Sequence, residues 1–364
     1  MSICSGLFEE LEDPRSNKNQ IYPFEYMMLV MLCACMAGET SFTGIADYAD
    51  LTHPYFQKHY NLPSHAPHHD TFRYLLNGID PEIFYPWFEN LTDNIVSALG
   101  GSEAIALDGK TLRNSTHHPL HLVNAWCTSN RMVLGFEKVR DKTNEIKAIP
   151  LLLKTLDLKG RVVTIDAIAA QRDICQRIID LEGDYCISLK KNQKTLFEDV
   201  SCYFQDTSED FMAIFEHHDK GHGRIESRTC RVLEDVTWLN EQHNWPGLTS
   251  VIEVTRRTIL NNKETREIQY YISSLKASPE RLLTLIRNHW HIENRLHWVL
   301  DVTFNQDKAC IRTENTALNM DIMRKVALNV LNFNKAGNRS LRSLQRSCWN
   351  PHNPITLLQK FYHS

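Results

Sequence analysis

Three acidic residues stand in settings where a carboxylate can do chemistry. Asp108 ends an apolar run within 104–113, AIALDGKTLR, and Gly109 behind it lets backbone or substrate come close. Asp166 ends a second apolar run within 162–173, VVTIDAIAAQRD, and Glu293 lies inside 287–301, RNHWHIENRLHWVLD, four residues from His289 and four from His297. Two buried strands that each finish in Asp place two carboxylates at one edge of a sheet. An acid among so many apolar and aromatic neighbours must be paired or metal-bound if it is buried. Each Asp alone also reads as a turn or helix cap, and Glu293 also reads as a glutamate satisfied by its two histidines. His289, Glu293 and His297 also read as a nitrogen-rich site for zinc, although the outer two are about 12 Å apart along a helix axis.

The elements that must hold these residues follow from periodicity. Up to about residue 100 apolar residues recur at three-to-four spacing, through 26–36 and 84–99, which predicts an all-helical N-terminal domain over 1–100. From there the texture changes to short apolar runs, with strands predicted at 105–107, 120–127, 132–139, 162–165 and 185–189 and helices at 149–158 and 171–181. Three strands, then helix, strand, helix, strand, indicate a mixed-sheet α/β core. Residues 101–193 form its first part. A β-rich insertion is expected over 194–277, including a hairpin of 251–259 with 268–275 joined through Asn261 and Asn262. A helix over 278–300, capped by Ser278 with Pro279 in its first turn, returns to the core, which runs to 335 and leaves a basic tail over 336–364.

Composition bounds the function. The chain has 364 residues, 42% hydrophobic and 23% charged, which is ordinary globular material. Ten cysteines without a repeated CxxC pair point to thiols in a cytoplasmic protein, and the apolar window 26–36 is too short to cross a bilayer. The net charge of −4 argues mildly against a nucleic-acid partner, but its distribution answers that objection. Residues 1–100 hold four basic residues against thirteen acidic ones, so the remainder is basic. From Asp321 onward, Arg324, Lys325, Lys335, Arg339, Arg342, Arg346 and Lys360 face that one acid. Two further groups are suited to phosphate: Lys190, Lys191, Asn192 and Gln193 after the last core strand, and the turn containing His222 and Arg224. His117, His118 and His121 lack the companion cysteines of a zinc site.

The ordered blocks resemble a known family, the H-repeat-associated insertion-sequence transposases of bacteria, nearly end to end. The similarity runs through DPR at 13–15, HDTF at 69–72, IALDGKTLR, NEIKAIPLLLKTLDLKG at 144–160 and VVTIDA. It continues through DYCISLKKNQ at 184–193, GHGRIESR at 221–228, YYISS at 270–274 and RNHWHIENRLHWVLDV at 287–302. The resemblance implies an RNase H-like core in which Asp108, Asp166 and Glu293 bind two Mg²⁺ or Mn²⁺ ions, cut double-stranded DNA at transposon ends and join it to a target. It also implies a homo-oligomer on DNA and a helical N-terminal domain that recognises the ends. Lys110, Arg287 and Arg295 within its blocks join the candidate DNA contacts. The positions where the broader superfamily has Tyr, Arg and Lys are here Ile286, His289 and Leu300. The rival readings are a nuclease on this fold that lacks strand transfer, and a decayed or domesticated copy that only binds DNA.

Overall fold

A computed structural model describes residues 6–16, 18, 20–99, 103–113, 119–139, 145–221, 224–261 and 263–363. Four helices come first: α1 (Phe24–Ala37), α2 (Phe42–Phe56), α3 (His69–Gly78) and α4 (Pro81–Ala98). Helix α1 is apolar all round and buried from Tyr26 to Ala37, as expected of a helix enclosed on every side. Gly38, at φ +95°, ends it in a left-handed cap whose amide returns to the Cys35 and Ala34 carbonyls. Among the described residues no single helix is long and apolar enough to cross a membrane. No cysteine among them forms a disulfide.

The core begins with β1 (Ala104–Leu112), β2 (Leu120–Cys127) and β3 (Met132–Val139), and continues through α5 (Glu145–Thr155), β4 (Val162–Ile165), α6 (Arg172–Asp180) and β5 (Asp184–Leu189). Strands β1 to β3 pair antiparallel, while β4 lies parallel to both β1 and β5. This is the RNase H-like arrangement that the blocks imply. The stretch 194–277 opens on a helix the sequence reading missed, α7 (Lys194–Asp206). It then gives β6 (Ala213–Gly221), β7 (Arg224–Leu233), α8 (Thr237–His243), β8 (Ser250–Leu260) and β9 (Lys263–Ser273). It is an insertion in sequence but not a separate sheet. Strand β9 pairs antiparallel with β5, so one nine-stranded sheet runs in the order β3-β2-β1-β4-β5-β9-β8-β7-β6. The β8–β9 turn is carried by Asn261 at φ +49°, a left-handed conformation Asn tolerates; Asn262 lies outside the described residues.

Side-chain alternation sorts the sheet into two faces. Ile105, Val163, Tyr185 and Val251 join the main core with the helices of the first half, whereas Ala104, Val162, Cys186, Cys230 and Ile252 join a second core under α9 (Pro279–His289). Helix α9 crosses this second face, touching β1, β4 and β5 as well as β6 and β7. The helix expected over 278–300 is regular only to His289. After α9 the chain continues through π-helical turns at Glu293–His297 and Val299–Thr303. The buried residues Ile292, Leu296, Leu300 and Phe304 recur every fourth position. On a regular helix that spacing drifts about 40° per repeat, and the wider π turns cancel the drift so that all four stay on the core.

The chain closes with α10 (Glu314–Phe333), α11 (Leu341–Ser347) and α12 (His352–Tyr362). Helix α10 is buried and packs on α1, α3, α4 and β3; α11 and α12 pack on α1 and α10. Arg324 and Lys325, counted above in the basic tail, are 2% and 1% exposed, and Lys325 pairs with Asp321 at 2.6 Å. They belong to the core and not to a charged surface.

Candidate active site

Register explains why two of the acids meet. The parallel pairing of β1 with β4 ends at Leu107 opposite Ile165, so Asp108 and Asp166 are the next residues on adjacent strands. Asp108 does not end its strand, as the sequence suggested; β1 runs on to Leu112 along β2, and what stops at Asp108 is the parallel pairing. By alternation both Asp residues lie on the face beneath α9, with Ala104 and Val162. The segment after α9 lowers Glu293 onto the same edge. Asp108, Asp166 and Glu293 then line one cavity of about 340 Å³ together with Thr164, Lys190 and His289. Glu293 is not the buried acid its neighbours suggested, for its side chain is 61% exposed toward this cavity.

The two histidines turn to different partners. His297 Nδ1 lies 3.1 Å from Glu293 Oε2 and 3.6 Å from Asp108 Oδ2, and the three side chains could hold one cation, with ligand atoms within 4.8 Å of one another. His289 turns instead to Thr164, its Nδ1 3.2 Å from the hydroxyl, so the three-residue zinc row does not assemble. Burial pushes both imidazoles down, His289 to about 4 and His297 to about 3, with Lys110 adding to the effect at His297. Both rings are therefore neutral near pH 7.

The carboxylates differ in kind. Burial pushes the Asp108 carboxyl up to about 7, reinforced by the negative charges of Glu293, Glu145 and Asp166 and only partly offset by the Gly109 amide at 2.9 Å. Burial also pushes on Asp166, but the Ala167 amide at 2.7 Å and Lys190 Nζ at 3.0 Å outweigh it and hold that carboxyl below its usual range. Opposite Asp108 in the β1–β2 register is Asn124, 1% exposed, whose two side-chain polar atoms have no protein partner. His297 Nε2 is likewise buried without one. Crowded acids, a carboxyl pushed toward neutrality, a lysine beside the second Asp and orphaned polar atoms nearby all fit a site for hard cations.

The family model of the transposase DDE domain matches residues 99–330, and the model of the segment associated with it matches residues 6–92. The chain belongs to the DDE transposase family. The H repeat-associated protein YhhI of Escherichia coli, whose name classes it with the transposases, is 34% identical over 88% of each chain. YncI of the same species is 33% identical over 91% of this chain and 88% of its own, and a protein from the dhlA 3′ region of Xanthobacter autotrophicus is 32% identical over 75% and 94%. A solved piggyBac transposase synaptic complex with hairpin DNA superimposes with a TM-score of 0.48 at 10% identity, over 95% of this chain and 75% of that one. That likeness is too loose to add to the family membership.

In this DDE-family chain the candidate DNA contacts part company. Lys110 is 7% exposed and paired with Asp301, so it leaves the set that faces DNA. Asn192 donates to the Ala167 carbonyl at 2.6 Å and Gln193 to the Ala170 carbonyl at 2.8 Å, so both brace the turn that follows Asp166. Lys190 sits on Asp166, Lys191 is exposed, and Arg295 is half-buried, its guanidinium pushed down by burial and by Arg131. Arg224 and Arg287 lie over the sheet extension, while His222, His117 and His118 fall outside the described residues. His121 pairs with Glu145 and with the Thr111 hydroxyl. That pair gives Gly109 a different reason from the one expected, because a Cβ there would meet the Glu145 carboxylate at 2.4 Å and the His121 ring at 2.9 Å.

Sequence reasoning offered His297 as a partner of Glu293 but missed its approach to Asp108, and it missed Asn124 and Glu145. Asn124 sits inside an apolar strand run, which was the available signal. Glu145 carried none, being one acid at a helix start.

Proposed function

We propose that this protein is a DNA transposase that uses Asp108, Asp166 and Glu293 to hold two Mg²⁺ or Mn²⁺ ions, cleaves double-stranded DNA at element ends and joins the freed 3′ end to a target. The observation that carries the reading is the sheet register, which sets two Asp residues side by side and brings Glu293 over them in one cavity. Such ions, when bound, would activate the attacking water or 3′ hydroxyl and stabilise the leaving oxygen.

The chain's own groups prepare the place. Lys190 and the Ala167 amide keep Asp166 anionic and oriented. His297, neutral and buried, orients Glu293 through its Nδ1. Asp108, whose carboxyl burial pushes up to about 7, would hold a cation in its deprotonated form. Ile165, Ile286 and Ile292 give the cavity an apolar part of its lining, which limits competing water.

The test uses a plasmid carrying the gene with its native flanks and, in parallel, calorimetric titration with Mn²⁺. Asp108→Asn, Asp166→Asn and Glu293→Gln should each reduce cleavage to background and weaken Mn²⁺ binding, while affinity for duplex in EDTA stays within about twofold, because phosphate contacts elsewhere dominate it. Wild-type cleavage in any of the three removes the assignment. Cleavage without joined products favours the nuclease reading. Duplex binding with neither cleavage nor Mn²⁺ uptake favours a decayed copy.

A further inference from the structure

The face that carries the acids also carries, on its far strands, a cluster of arginines. Cys230 and Val232 of β7 and Ile252 and Val254 of β8 lie in the core beneath α9, so alternation places Arg224, Glu226, Arg228 and Arg256 on that face too. Glu226 is 3% exposed, with Arg224 at 3.2 Å, Arg256 at 3.0 Å and Arg228 in contact. Arg287 reaches over from α9 and lies 3.9 Å from Asp219.

The arrangement holds more positive charge than its buried carboxylate can satisfy. Arg228 and Arg256 are direct cross-strand partners, a like-charge pairing that costs stability in an isolated sheet. Arg228 Nη1 and Arg256 Nε are buried without a hydrogen-bond partner. Burial, with Arg287 and Arg256 adding to it, pushes the Arg228 guanidinium down to about 10. Two further acids share the face: Asp219 beside Arg287, and Glu267, which lies opposite Arg256, is exposed and accepts from Gln269. Four guanidiniums thus meet three carboxylates; Arg228 Nη1 and Arg256 Nε have no hydrogen-bond partner, and Glu226 Oε1 is held only by its ion-pair contact with Arg228. An anion with two exposed oxygens answers such a forked surplus.

The cluster opens into solvent-accessible space. Arg228 and Arg287 line both a cavity of about 390 Å³, with Arg224 and Glu226, and one of about 570 Å³, with Arg256. The larger one shares Gln269, Ile286 and Trp290 with the acid-lined cavity, so the two lie end to end along one face. Asp166 on β4 and Arg256 on β8 are three strands apart, about 14 Å laterally, and the register sets Arg256 four residues, about 13 Å, further along the strand direction. The resulting separation of about 19 Å matches the rise of about five to six base pairs, about 3.4 Å each.

We propose that Arg224, Arg228, Arg256 and Arg287, organised around Glu226, grip one backbone phosphate of duplex DNA a few base pairs from the acid-lined cavity. The proposal rests on the nuclease reading of that cavity only for the direction of the DNA. Duplex DNA is the occupant because the cluster's cavities continue into the acid-lined one, whereas a free anion would need only the cluster itself.

The experiment measures fluorescence anisotropy of a random-sequence 30-base-pair duplex across a salt series in EDTA, using the full chain. Arg256→Gln and Arg287→Gln, both partly exposed, should each weaken binding about five- to tenfold, and the double variant should flatten the log–log salt slope by about one, since one phosphate is shared. Arg256→Lys should keep the slope and lose part of the affinity, because charge remains while the fork is lost. Unchanged affinity in both Gln variants, with folding verified by circular dichroism, overturns the clamp. So does a slope change of about two, which would mean separate phosphates. Calorimetry with inorganic phosphate alone separates the sources: uptake by the wild type, lost in the double variant whose duplex affinity is intact, assigns the cluster to a free anion and overturns the duplex reading. Plasmid cleavage by wild-type protein with intact duplex affinity in the variants would remove the clamp and leave the nuclease reading. Lost affinity without wild-type cleavage would do the reverse.

Discussion

Asp108 shows how one residue can carry a cost that function requires. Its carboxyl sits at about 7 against an ordinary 3.8, so between those values the folded protein holds a proton that the unfolded chain has released. Stability from this group is therefore present at low pH and lost as pH rises from about 4 to 7, by up to about 1.4 kcal/mol per unit before solvent screening at this partly open site reduces it. In metal-free protein Asp108→Asn removes that cost. It should melt several degrees above wild type at pH 8, by about 1–3 kcal/mol, with the gap closing toward pH 4. Saturating Mg²⁺ should reverse the order at pH 8, because only the wild type gains the ion's binding energy. Thermal melts in EDTA and in Mg²⁺ check this, and equal melting at pH 8 in EDTA would show that the Asp108 carboxyl carries no such cost.

At the scale of elements, the site depends on two short irregular segments. The turn at Ala167–Ala169 fixes where Asp166 points, and it is held from outside by Asn192 and Gln193, which follow the neighbouring strand β5. An Asn192→Ala, Gln193→Ala double variant frees two carbonyls and lets the turn drift. Cleavage in single-turnover assays should fall about 10- to 100-fold, the usual cost of misplacing a catalytic group by about 1 Å, while duplex affinity in EDTA holds. The opposite pattern, intact rate with weakened affinity, would return these residues to the phosphate-binding role that their sequence suggested. The π-helical turns do comparable work on the other side. They keep Leu296 and Leu300 in the core while Glu293 faces the cavity, which a regular helix with this spacing would not do.

At the scale of the molecule, the chain's first and last helices form one layer. Tyr48 of α2 donates to the Cys348 carbonyl at 3.0 Å, and Asn319 of α10 donates to the carbonyls of Leu76 and Ile79, each at 2.8 Å. Removing the last helices would expose α1, so truncation tests folding and not DNA binding. Substituting the tail's surface arginines is the cleaner probe of its charge. The buried Asp321–Lys325 pair, with Lys325 3.6 Å from the centre of the Phe136 ring, ties this helical layer to β3. Lys325→Met leaves Asp321 charged and unpaired, and should cost about 3–5 kcal/mol in chemical denaturation. Asp321→Leu combined with Lys325→Met should recover most of that loss. If the double variant is no better than the single, the pair contributes through packing alone.

The sequence by itself determined the α/β core and the helical character of the first hundred residues, and it singled out three acids that line one cavity. Those depend on local periodicity and on ordered blocks, both legible along the chain. It brought Asp108 and Asp166 together because an apolar run ending in Asp is a local pattern, although β1 itself runs on past Asp108. Only the tertiary structure decided the rest. Arg324 and Lys325 look like tail charge in sequence, yet α10 buries them because its neighbours α1, α3 and α4 come from some 230 or more residues earlier in the chain. Lys110 is spent on Asp301, and Asn192 and Gln193 on a turn some 25 residues back. The two histidines flanking Glu293 look equivalent by spacing, yet His297 meets Glu293 and Asp108 while His289 turns to Thr164, since His289 belongs to α9 and His297 to the widened turn beyond it. The joining of β9 to β5, which turns an insertion into one continuous sheet and lays the arginine cluster on the same face as the acids, is a long-range pairing. No local pattern encodes such a pairing; the strands' hydrophobicity permits it, and the burial of both faces selects it.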